Sequence, residues 1–161
     1  MIPAIVRLRE ISRISSLVAA VSVALAFPFA LSAQVKVDGS GISKVGHDTR
    51  KLTVDAKAAA GGAPGGTVQF IHNSPAGLTR FRGTVSCLSV TAGIAQISGI
   101  IDKGETATGA LLDGKAFAFT INTSTKPQTF SLPNYADAGG ITPCGGGRPE
   151  TVPVTEDGFH F

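Results

Sequence analysis

Residues 67–73 read TVQFIHN and residues 78–90 read LTRFRGTVSCLSV, and the alternation within these two stretches decides the fold class. In the first, Val68 and Phe70 face one way and Gln69 the other. In the second, Phe81, Val85 and Cys87 alternate with Arg80, Arg82, Thr84 and Ser86, after which the apolar phase moves to Leu88 and Val90. A two-residue period is that of a half-buried strand. A slip of that period by one residue implies a bulge or sharp bend near Cys87.

The same texture extends in both directions. Thr91-Ala92-Gly93 predicts a hairpin onto Ile94–Ile101, where Ala95, Ile97 and Ile101 alternate with Gln96 and Ser98. A polar stretch, Asp102 to Gly114, reads as a loop. Lys115–Asn122 then puts Phe117, Phe119 and Ile121 on one face, and Gln128–Leu132 is a short strand before Pro133. Upstream, Gln34–Ser43 and Lys51–Lys57 are two more strands, the second with Leu52, Val54 and Ala56 facing in. Gly61 to Gly66 is a loop by composition. Ala138–Pro153 is rich in glycine and proline and reads as irregular, and Phe159 and Phe161 suggest a last strand closing the sheet. No window after residue 33 carries an apolar stripe of helical period and length. The expectation is an all-β chain: a single antiparallel β-barrel or β-sandwich domain of about 6–9 strands, over residues 34–161. Its core is expected at about 34–132, with a glycine- and proline-rich tail at 133–161.

The first 33 residues differ in kind. Arg7, Arg9 and Arg13 are followed by a nearly unbroken apolar run from Ile14 to Leu31, and Ser32-Ala33 supplies small residues before Gln34. This is the pattern of a secretory signal peptide with an N-terminal helix, cleaved between Ala33 and Gln34. A retained membrane anchor is the alternative. Cleavage leaves no stable membrane insertion and implies a secreted or periplasmic protein. The leader also accounts for most of the basic balance. Of 14 Lys+Arg and 11 Asp+Glu, it holds three arginines and Glu10, so the remainder carries eleven against ten. No Lys/Arg cluster of the kind that grips phosphates remains, and nucleic acid is excluded as a partner. At 16% charged residues, against an average of about 25%, the chain also reads as neither a disordered polar tail nor a coiled coil.

Cys87 and Cys144 are the only cysteines. Two cysteines in an exported chain point to a disulfide, here tying a central strand to the glycine-rich tail. A metal centre would need more sulfurs or histidines at ligand spacing. The three histidines, His47, His72 and His160, are scattered and read as unrelated turn and strand-end residues. Asp102, Glu105 and Asp113 share the polar stretch and read as solubilising charges rather than an acid–base pair. Gly145-Gly146-Gly147-Arg148 puts glycines beside a cation without the strand and helix of a phosphate cradle. Asn122-Thr123-Ser124 matches a glycosylation sequon, which matters only in a eukaryotic secretory route; the leader and composition look bacterial. No catalytic, cofactor-binding or metal-ligating residue is assigned, and no metal, nucleotide or flavin is implied.

Gly83-Thr84-Val85-Ser86-Cys87-Leu88-Ser89-Val90 has the form G-x-V-x-C-L-x-V. With TVQFIHN before it, the short hairpin and Ala95-Gln96-Ile97-Ser98-Gly99 after it, and the phenylalanine strand Lys115–Asn122, this resembles a family of small secreted bacterial all-β proteins of unknown function. The resemblance runs from about Gly65 to Asp137. It departs at Asn122-Thr123-Ser124-Thr125, where that family places an aspartate-rich turn. It implies export and an all-β domain, and no catalytic residue. The functional expectation is an exported, non-enzymatic β-domain with a structural role or a role in binding a protein partner or the cell-envelope surface. The alternative is a carrier holding a small apolar ligand between Phe70, Phe117, Phe119 and Ile97; a hydrolase comes third.

Overall fold

The computed structural model describes residues 34–59 and 62–161, so the leader and its cleavage point at Ala33 lie outside the described residues; Gln34 is the first described. Among the described residues there are ten strands and no helix: β1 Val35–Val45, β2 Asp48–Ala58, β3 Gly65–Ser74, β4 Gly77–Thr91, β5 Ile94–Glu105, β6 Ala116–Asn122, β7 Thr129–Ser131, β8 Asn134–Ala136, β9 Thr151–Pro153 and β10 Glu156–His160. They form one antiparallel sheet in the order β10-β1-β2-β3-β4-β5-β6-β7-β9, with β8 paired on β6. The sheet curls into a barrel-like half-shell, and no second sheet is packed on it as in a sandwich.

The strand count exceeds the expected range because β8 and β9 are three residues each, too short to show alternation. β5 also runs past its last apolar pair into Asp102-Lys103-Gly104-Glu105, where, after a register shift at Asp102, pairing of Lys103–Glu105 with Arg80–Arg82 continues the ladder. The first four residues of the polar stretch that reads as a loop, Asp102 to Glu105, are therefore strand. The 138–153 segment is irregular as expected until β9.

The expected slip in β4 is a bulge. Val85 pairs with Gly99 and Cys87 with Ser98, so Ser86 is the extra residue. The phase changes one residue earlier than the sequence suggested: Leu88 opposes the core residue Ile97, and Cys87 therefore shares the outer face with Ser98. At the β4–β5 turn, Ala92 and Gly93 both have positive φ (49° and 77°), the conformation of a two-residue hairpin turn whose twist matches the strands.

The core lies inside the curl. Leu52, Val54 and Ala56 face in from β2, Val68 and Phe70 from β3, and Phe117, Phe119 and Ile121 from β6, all buried. Val152, Val154 and Phe159 join them, so residues 133–161 contribute to the core as well as to the surface. Phe70, Phe81, Phe117 and Phe119 form a ladder across β3, β4 and β6, with successive ring centroids 5.6, 5.6 and 5.9 Å apart. These spacings are those of favourable aromatic pairs.

Gln128 joins the two ends of the curl. Its carbonyl accepts from Val154 N at 2.8 Å. Its side-chain amide donates to Phe159 O at 3.1 Å and accepts from Phe159 N at 2.8 Å, as a neighbouring strand would. Gln128→Ala is expected to cost about 1–3 kcal/mol, because it strands two β10 backbone groups. Urea unfolding measures that loss, and hydrogen exchange should show it first at Phe159. A variant as stable as the parent, with Phe159 equally protected, would show that Gln128 does not hold the ends together.

Candidate functional site

A groove of about 500 Å³ lies on the outer face of β3, β4 and β5. Strand register builds it. Ile71 opposes Arg80, which opposes Glu105; Gln69 opposes Arg82, which opposes Lys103. Directly opposed residues share a face, so these two rows make the groove's surface. Leu111 and Asp113, from the loop after β5, form one wall. Arg80 is neutralised by Glu105 at 2.8 Å, whereas Arg82 and Lys103 have no ion-pair partner among the described residues. Ile71 is 42% exposed and Leu111 71% exposed, with Leu78 and Ile100 also exposed on the same face. The groove thus combines two cations without an ion-pair partner among the described residues, the Asp113 carboxylate in its wall, and apolar side chains that the fold leaves in water.

The three carboxylates of the polar stretch are each engaged structurally. Asp102 accepts from the Thr84 hydroxyl, Glu105 pairs with Arg80, and Asp113 accepts from Gly104 N at 2.8 Å. His47 sits in the β1–β2 turn and His160 is exposed on β10, opposite Asp38. Thr123 and Ser124 follow β6, with Asn122 Oδ1 accepting from the Ser124 hydroxyl and backbone.

Cys87 and Cys144 form a disulfide with a Cα–Cα distance of 5.2 Å. It lays the tail over the outer face of β5 and β6. Cys144 N donates to Ser98 Oγ at 3.0 Å and Gly147 N to Thr120 Oγ1 at 3.4 Å, and Ser98 and Ala118 are buried beneath. Gly147 serves close packing of the tail, since a Cβ there would meet Ser131 Oγ and the Phe119 backbone. The disulfide is compatible with an extracellular or periplasmic location. Among the described residues no helix is long and apolar enough to cross a membrane. Where the tail begins, Lys115 donates to Asp137 and holds its carboxyl below the usual carboxylate range by that hydrogen bond and by its charge.

Sequence reasoning missed one constellation. His72 stands 3.5 Å from the Asp48 carboxylate, and Arg50 Nη2 donates to the same oxygen at 2.6 Å. Arg50 and His72 are paired across β2 and β3 and both point inward. The signal was present as parity: Arg50 is two residues before Leu52, and His72 two after Phe70.

No protein family, curated protein or solved structure matches this chain.

Proposed function

We propose that the chain is an exported β-domain without catalytic turnover that binds a protein partner through the groove on β3, β4 and β5. The observation that carries this reading is the pairing of Arg82 and Lys103 with exposed Ile71 and Leu111 in one concavity. An exposed apolar patch edged by charge is the character of a recognition surface. The complementary partner is a segment with carboxylates beside apolar side chains, since charge complementarity sets both orientation and encounter rate. The signal-peptide reading of residues 1–33 and the likeness to small secreted bacterial β-proteins belong to the same proposal. The apolar-carrier alternative has less support, because Phe117, Phe119 and Ile97 are fully buried and the rings are packed on one another.

A peptide alternating glutamate and leucine is the probe. Amide shifts on titration should centre on Ile71, Arg82 and Lys103, and the double variant R82E/K103E should weaken binding by at least about tenfold, the range of charge-assisted contacts. Shifts elsewhere, or an unaffected double variant, would overturn the groove as the site. Preference for vesicles containing phosphatidylglycerol over the peptide would replace the protein partner with a lipid surface.

A further inference from the structure

The inward positions of β1 to β4 are apolar or glycine along most of their length and polar in one layer. Ser43 opposes Arg50, Arg50 opposes His72, and His72 opposes Thr79, so one row crosses four strands at the end of the curl that carries the β1–β2 and β3–β4 turns. Ser43 is fully buried and Arg50 is 8% exposed. Burying a guanidinium is costly unless its donors are met. Asp48 meets one Nη of Arg50. Among the described residues, Arg50 Nε and Ser43 Oγ are buried without a hydrogen-bond partner, and His72 Nε2 has only the 3.5 Å contact to Asp48. The Nε–H of arginine only donates, so the missing partner is an acceptor.

A cavity of about 60 Å³ adjoins this row. His72 and Thr79 line it from the row, and Tyr135 and Arg148 from the chain that crosses the opening. The Arg148 guanidinium lies 5.8 Å from the centre of the Tyr135 ring and has no ion-pair partner among the described residues. Donors therefore approach the cavity from both sides, His72 and Thr79 from the row and Arg148 and Tyr135 from the crossing chain, with Arg50 behind His72 in the row. With a water occupying about 30 Å³ in the liquid, the space admits a group of a few heavy atoms, and Phe70, Leu132 and Pro133 complete a lining whose polar part is His72, Thr79, Tyr135 and Arg148.

We propose that this polar end of the barrel binds a small oxyanion, a carboxylate or phosphate, free or as the head group of a longer molecule. Arg148 and His72 contact it from opposite walls, and Arg50 supplies charge from the buried row. This site is independent of the groove on β3, β4 and β5, which lies on the other face of the sheet.

The test titrates the protein with acetate, octanoate and inorganic phosphate at fixed ionic strength, with chloride as control, and follows backbone and histidine-ring resonances. Saturable shifts at His72, Thr79, Tyr135 and Arg148 are expected with at least one oxyanion and not with chloride. Tighter binding of octanoate than acetate would mark the ligand as a head group; the reverse would mark a free anion. Arg148→Ala removes an exposed side chain and leaves the core intact, and should weaken binding by about tenfold or more, as loss of a charged hydrogen bond does. Arg50→Gln, which removes the charge behind the cavity, should weaken it as well if the variant unfolds as cooperatively as the parent. The absence of saturation with all three anions, or shifts that survive Arg148→Ala unchanged, would overturn the proposal.

Discussion

Replacing Phe117 with alanine is expected to lower the unfolding free energy by about 3–5 kcal/mol, the range for removing a buried aromatic from a core that cannot collapse around the gap. Phe117 is fully buried and lies between Phe81 and Phe119 in the aromatic ladder. Its ring also covers two glycines. A Cβ at Gly99 would come within 2.9 Å of the ring, and one at Gly83 within 2.7 Å, so those strands carry no side chain where the ring sits. Neighbours cannot fill the hole, because the adjacent inward positions on β4 and β5 are themselves glycine. Gly99→Ala is the reciprocal experiment: its methyl would meet Thr84 O as well as the ring, and rigid backbone must then shift. Denaturant unfolding of both variants checks the point. A loss under about 1 kcal/mol for Phe117→Ala would mean that the ladder is not a structural centre of the domain.

The strand that decided the fold class was legible because its inward residues are large and its outward residues charged. In Leu78–Val90 the side-chain period alone predicts a strand and a bulge, and the bulge is found at Ser86. Lys115–Asn122 was legible from its inward Phe117, Phe119 and Ile121 alone, since its outward positions are alanine, threonine and asparagine. The bounds of β5 were not: Asp102-Lys103-Gly104-Glu105 has no apolar side chain, and what keeps it in the sheet is main-chain pairing with β4. Backbone hydrogen bonds leave no mark on composition. Thr151–Pro153 and Asn134–Ala136 were invisible for a related reason, since three residues hold too little alternation to separate strand from turn. The closure at Gln128 rests on a side chain imitating a peptide group, and nothing about an isolated glutamine announces that.

The sites were less legible than the fold because each depends on register between strands. Arg80 and Arg82 read as a solvated face, which is where they lie; the groove arises only when Lys103 is paired opposite Arg82 and the Leu111 loop rises beside them. His72 read as a strand-end residue with no partner. Its neighbours Arg50 and Asp48 come from the preceding hairpin, and a shift of one residue in the β2–β3 pairing would have turned Arg50 outward. Parity within a strand is a property of sequence, whereas the alignment of parities between strands belongs to the turns.

Removing the Cys87–Cys144 disulfide is expected to destabilise the domain by about 4 kcal/mol, the chain-entropy figure for a closed loop with a separation of 57 residues. Distortion elsewhere would lower that figure, but local contacts argue that the bond is well accommodated: Cys144 N already bonds to Ser98 Oγ, and Cys87 stands directly opposite Ser98. Apart from the disulfide, the segment is held by a few hydrogen bonds to Ser98, Thr120 and Leu132 rather than by apolar packing. Residues 137–150 contain few apolar side chains, and Gly145 to Gly147 add conformational entropy to the unfolded chain. The double variant C87S/C144S should therefore melt roughly 10–20 °C below the parent, given a domain of this size. Two further signatures separate loss of the tether from general damage. Amides of residues 142–148 should lose exchange protection well below the global unfolding free energy, while the β1–β4 ladder keeps its own. Reduction of the native protein should give the same melting temperature as the double variant. If the variant melts within a few degrees of the parent and the tail stays protected, then the bonds from Cys144 N to Ser98 Oγ, Gly147 N to Thr120 Oγ1 and Arg148 N to Leu132 O hold the tail without the sulfurs, and the disulfide contributes little to stability.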